Sequence, residues 1–124
     1  MKTSNYQDLK VWQKAMDLTV EVYSLVKLLP KEETYALSDQ IRRAVVSIPS
    51  NIAEGHGRNS DKDFIKFLSI ARGSLHELET QIAICCRISY ISLSEADRAK
   101  CLIEEVSKML NSLIAFRSSR IPKS

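Results

Sequence analysis

At 124 residues the chain is long enough for one domain, and a domain of this size buries roughly two-thirds of the surface its unfolded form exposes. With 44% hydrophobic and 27% charged residues but only three glycines and three prolines, it is neither a disordered chain nor a turn-rich β protein. The net charge of +3 is too small to demand a polyanionic partner, and no stretch approaches the ~18 apolar residues of a membrane span.

Taken in chain order, the hydrophobic spacing predicts an all-α fold, a single domain over 1–124. The first helix is expected over 7–29, because Val11, Ala15, Leu18, Val22, Leu25 and Leu29 recur at alternating intervals of four and three, the period of packed bundle helices. Pro30 forbids comfortable continuation. A second row, Trp12, Met16, Tyr23 and Val26 with Thr19 between, makes the apolar face broader than a two-helix seam requires.

The second helix is expected over 34–55, with Glu32 and Glu33 complementing its positive N-terminal end. Ala44, Val45, Val46, Ile48, Ile52 and Ala53 project around more than one side of it, more apolar surface than one neighbouring helix covers. That width implies either deep burial within the domain or a surface shared with another subunit, for which Trp12, Val46, Ile52 and Ala53 are the candidate contacts. Pro49 leaves the Val45 carbonyl without its usual partner, so a kink near Pro49 is expected. The run Gly55-His56-Gly57 is expected to end the helix with a glycine in the left-handed conformation.

Ser60 caps the third helix, expected over 61–89, with Asp63 in the capping-box position. Phe64, Leu68, Ala71, Leu75, Leu78, Ile82 and Cys85 form its seam, and Gly73 is a candidate point of close helix approach. Ser94 and Asp97 repeat the capping arrangement before a fourth helix over 95–118, with apolar Leu102, Val106, Met109, Leu113 and Phe116. Short connections between helices of similar length imply an antiparallel up-down-up-down four-helix bundle.

Catalytic patterns are weak throughout. His56 and His76 belong to no ligand pair of the Glu-x-x-His kind that bundles use for metals, so no metal or cofactor is expected. Ser24 and Lys27 spell S-x-x-K on an ordinary amphipathic helix without any accompanying hydrolase motif. Cys85, Cys86 and Cys101 lack C-x-x-C spacing and read as reduced core fillers. The glycines around His56 do not make a phosphate loop. The opening MKTSNYQDLK has no signal-peptide run, and the cytoplasm is the expected compartment.

Three segments, LKVWQKAMDL from Leu9, QIRRAVVSIPSNIAEGHGR from Gln40 and FIKFLSIARGSLHELETQ from Phe64, resemble the bacterial four helix bundle protein family, also called ribosomal RNA intervening-sequence proteins. The resemblance covers almost the whole chain. It implies a four-helix subunit and, by analogy with relatives, a ring of five subunits. A related branch, the accessory variability determinant proteins of diversity-generating retroelements, acts with a reverse transcriptase and nucleic acid.

Two readings follow, neither of them an enzyme. In one, Arg42, Arg43, Arg58, Lys66 and Arg72, multiplied around an oligomer, contact the phosphates of RNA or DNA; few exposed aromatics are identifiable for base stacking. In the other, the oligomer is a structural scaffold for a protein partner and those residues serve ion pairs and solubility.

Overall fold

The computed structural model describes residues 5–123. The first four residues, part of the segment read as lacking a signal run, lie outside the described residues. Among those described are four α-helices and no strand: α1 (Lys10–Val26), α2 (Leu37–His56), α3 (Asp61–Arg87) and α4 (Leu93–Ser119). Short 3₁₀ turns, Tyr6–Asp8 and Lys31–Glu33, precede α1 and α2.

Cross-helix bonds define the topology. Lys14 pairs with Glu105 at 3.0 Å and Glu21 with Arg98 at 3.7 Å, so as α1 advances by seven residues α4 retreats by seven. Ser47 meets Ser74 at 2.9 Å between α2 and α3, whereas Gly55 further along α2 lies against Phe64 and Phe67, earlier in α3. Adjacent helices are therefore antiparallel. Tyr90 donates to the Glu33 carboxylate at 2.9 Å, tying the α1–α2 connection to the α3–α4 connection at one end of the bundle. At the other end Arg117 of α4 donates to Asp61 of α3 at 2.9 Å.

The core follows the four-three seams. Val11, Ala15, Leu18, Val22 and Leu25 of α1 are buried against Ile41, Ala44, Val45, Ile48 and Ile52 of α2 and the whole predicted seam of α3 from Phe64 to Cys85. In α4 the buried set is Ala96, Ala99, Leu102, Ile103, Val106 and Leu110. Met109 and Leu113 are only half-buried and Phe116 is exposed, because they face the start of α1, where the covering helix begins only at Lys10. Each deeply buried aliphatic side chain contributes about 1.5–3 kcal/mol relative to exposure, which is what holds four individually marginal helices together.

Local expectations were met unevenly. Ser60 accepts a bond from the Asp63 amide at 3.1 Å, as its spacing predicts. The cap of α4 lies two residues earlier than predicted, at Ser92, whose side chain and that of Glu95 bond each other's backbone amides reciprocally. A full capping box satisfies two orphan donors, so it outcompetes the Ser94 and Asp97 pair. Helix α2 starts at Leu37 rather than 34, because Lys31–Glu33 and Thr34 are taken up by 3₁₀ bonding. It continues through Pro49 without interruption to His56.

The glycine expectations change most. Gly57 ends α2 with φ −77°, an ordinary right-handed cap, and no described glycine has positive φ. Gly55 is instead the point of close approach: a Cβ there would fall 2.5 Å from Phe67 Cβ. Gly73 has nothing within 4 Å of such a Cβ, so it permits no helix contact. The left-handed residue is Ser89, φ 67°, at the end of α3. Its amide bonds the Cys86 carbonyl at 3.2 Å and the Tyr90 amide bonds the Cys85 carbonyl at 2.9 Å, the two bonds of a Schellman motif built on serine.

Candidate functional site

The broad apolar face of α1 and α2 resolves into a covered half and an open half. The seam residues go inward. Trp12 is half-buried, while Met16 and Val46 stay 39 and 40% exposed and line the groove between α1 and α2; Tyr23, 42% exposed, lies beyond its end beside Arg42. Tyr6, packed edge-on against Trp12 with ring centroids 5.4 Å apart, closes one end of it. Pro49 and Ala53 complete the floor. Of the four candidate subunit contacts, Trp12, Val46 and Ala53 share this groove. Ile52 does not: it is fully buried in its own subunit's core, on the opposite side of α2, and is a packing residue rather than a contact.

The five basic candidates are spread over the molecule rather than gathered. Arg42 and Arg43 lie near the start of α2, and Arg58 lies beyond its end, about 23 Å further at the helical rise of ~1.5 Å per residue. Lys66 is exposed in the first half of α3 and Arg72 is half-buried nearer its middle. Most carry local partners. Arg43 pairs with Asp39 at 3.0 Å and Arg58 with Glu54 at 2.9 Å, both one helical turn away. Arg72 donates to Asn111 of α4 at 2.9 Å, and Arg42 to the Thr34 carbonyl at 3.0 Å. Exposed pairs of this kind hold their ions weakly, and the Arg43 side chain remains 81% exposed, so its charge is available to an outside anion.

The basic residues at the end of the chain, outside the five candidates, lie at the opposite end of the bundle. Arg117 stacks over Phe64 with 4.7 Å to the ring centroid while bonding Asp61, and Arg120 approaches the same carboxylate at 3.4 Å. This arrangement fastens the end of α4 to the start of α3. His56 lies edge-on to Phe64 nearby, and His76 lines a separate groove between α3 and α4 with Glu79, Lys100 and Glu104. Among the described residues no three His, Cys, Asp or Glu side chains come close enough to hold a metal ion.

The cysteines divide by environment. Cys85 is buried, and burial, with Cys86 and Glu33 adding to it, pushes its thiol up to about 11, so it is protonated and unreactive at neutral pH. Cys86 is half-buried, and Cys101, expected in the core, is exposed on α4. Ser24 and Lys27 are both exposed on α1. The hydrogen bond from Tyr90 to the Glu33 carboxylate raises the phenol above its ordinary range. Among the described residues, no helix is long and apolar enough to cross a membrane.

Comparison with known proteins agrees with this architecture. A search among curated proteins finds no match. A crystal structure of a protein of unknown function from the S23 ribosomal protein family of Bacteroides thetaiotaomicron superposes with a TM-score of 0.77. It is 31% identical, and the alignment covers 84% of this chain and 97% of that one. The model of the 23S rRNA-intervening sequence protein family matches residues 7–112, from the turn before α1 to the last third of α4. The chain belongs to the 23S rRNA-intervening sequence protein family.

Proposed function

We propose that the protein is a non-catalytic, homo-oligomeric binding protein whose copies join through the α1/α2 groove and whose repeated basic residues contact nucleic-acid phosphates. The observation that carries the assembly half is the open groove itself. Trp12, Met16, Val46 and Ala53 form a contiguous accessible apolar surface across two helices, and an apolar surface of this kind marks an interaction site. The family resemblance makes a ring of five the expected assembly. The description of the family makes RNA the first ligand to test and the cytoplasm the expected place of action.

Phosphate contact is supported by Arg42 and Arg43, which border the groove at one end, so that each joined copy would add the same pair to a common rim. Multiplication matters because each phosphate contact contributes a salt-dependent increment through counterion release. A second reading, a scaffold for a protein partner, is favoured by the local ion pairs of Arg43 and Arg58.

Light scattering combined with an RNA titration at several salt concentrations separates these readings. The expected result is an oligomer that binds RNA at low salt, loses affinity steeply as salt rises, and is weakened when Arg42 and Arg43 are both replaced by glutamine. An oligomer indifferent to RNA at low salt would leave the scaffold. A stable monomer at micromolar concentration would overturn the assembly.

A further inference from the structure

Near the α1–α2 connection, the surface beside the groove changes from apolar to cationic. Two adjoining recesses there share Tyr23 and Arg42. One, of about 350 Å³, has Lys27 and Lys31 on its walls above apolar Val26 and Leu29, and the other, of about 380 Å³, adds Arg43 and Val46. Each lies within the range of ~300–1,000 Å³ usual for small-ligand clefts. Asp39 is the sole carboxylate on these walls among the described residues, and its pairing with Arg43 at 3.0 Å leaves Lys27, Lys31 and Arg42 outside any ion pair there.

Two further features narrow the ligand. The bond from Arg42 to the Thr34 carbonyl, 3.0 Å, orients the guanidinium and leaves other N–H donors of its five-donor fork for an anion. Tyr23 is 42% exposed, so part of an aromatic ring stands among these cations in contact with solvent. A free inorganic anion would not use the ring. A duplex would present phosphates but keep the faces of its bases inside its own stack. An unstacked nucleotide uses both features, because its base has a π-face for the ring and its phosphate suits the cations.

We propose that Tyr23, Arg42, Lys27 and Lys31 form a one-nucleotide subsite for single-stranded nucleic acid, the base stacking on Tyr23 and the phosphate held among the three cations. It rests on the nucleic-acid reading above and gives that reading a position and a strand preference. Tyr23 reads in the sequence as one more apolar position on the first helix, which is why base stacking had no candidate there.

Anisotropy titrations with a labelled single-stranded RNA oligomer and with its duplex test the proposal, using wild type, Tyr23→Phe, Tyr23→Ala and Lys31→Gln, each with its mass measured in solution. Wild type is expected to prefer the single strand. Tyr23→Ala should weaken single-strand binding by roughly 5- to 100-fold and leave duplex binding unchanged, while Tyr23→Phe retains affinity. Lys31→Gln should lower the slope of log affinity against log salt by about one. Unchanged single-strand binding by Tyr23→Ala, or an equal loss for both nucleic acids, overturns the stacking subsite while nucleic-acid binding stands. Dissociation of the Tyr23→Ala oligomer overturns it as well, making Tyr23 a subunit contact. Absence of wild-type binding to either form at low salt removes the nucleic-acid reading itself.

Discussion

Gly55 and Gly73 show how two identical residues in neighbouring helices can have opposite consequences. A Cβ at Gly55 would fall 2.5 Å from Phe67 Cβ and 2.9 Å from Phe64 Cδ1. Phe67 Cβ is held rigidly to its own backbone, so α2 and α3 must part to accommodate it. Gly55→Ala is therefore expected to destabilise by about 1–3 kcal/mol, the overpacking cost outweighing the gain of up to ~1 kcal/mol in helix propensity. At Gly73 only the propensity gain applies, and Gly73→Ala should stabilise by about 0.5–1 kcal/mol. Thermal unfolding of the two variants reads the opposite signs directly.

Cysteine reactivity is also decided residue by residue. Burial raises the Cys85 thiol to about 11 from an ordinary value of 9.0, so at neutral pH a thiol reagent should label exposed Cys101 first and reach Cys85 only after unfolding. The corresponding effect on stability has a definite sign. Below pH 9 the thiol is protonated in both states and contributes no pH dependence; as pH rises from 9 towards 11 the unfolded chain releases the proton first, and stability falls. Replacing Cys85 by alanine should remove that part of the alkaline loss, measured by denaturant unfolding at a series of pH values.

At the scale of the helix, the ends separate what the sequence reveals from what it hides. The starts of α3 and α4 are written in serines followed three residues later by an acid, although two such patterns overlap before α4 and only Ser92 with Glu95 completes the reciprocal bonds. The end of α3 has no glycine to announce it. Ser89 occupies the left-handed conformation at φ 67°, held by the Schellman bonds around it, and such a conformation costs a non-glycine residue about 1–2 kcal/mol. Ser89→Gly should therefore raise stability by about 1 kcal/mol, which a shift in melting temperature would report. An unchanged or lowered melting temperature would mean that the serine is not strained. Pro49, by contrast, sits inside α2, which runs as one helix to His56, as the expected span of the second helix required.

At the scale of the whole molecule, the open α1/α2 groove is the feature with the largest consequence. Val46 is 40% exposed there and makes little contribution to the core, so Val46→Glu should leave the helical content and melting of the chain nearly unchanged while dissociating the proposed oligomer. Sedimentation of the variant beside wild type checks this, and retention of the wild-type mass would move the interface elsewhere. The scattered basic residues matter at this scale too. Arg42 and Arg58 are too far apart to converge within one subunit, and only repetition in an assembly would multiply them into a continuous surface.

The bundle was legible because burial imposes a period. Leu18, Leu68 and Val106 recur with their neighbours at intervals of three and four, and any chain with four such seams and short links must pack them together to remove apolar surface from water. That logic fixes the helices, their order and most of the core without reference to coordinates. It cannot tell Ile52 from Val46, both apolar positions on α2, of which one is fully buried and the other lies open in the groove. Nor can it show that Tyr23 stands beside Arg42 and Lys31, or that Cys101 faces solvent while Cys85 does not. Periodicity records which residues seek cover. Which of them find it within the subunit depends on where the neighbouring helices end and how closely they approach, and that is decided only in three dimensions.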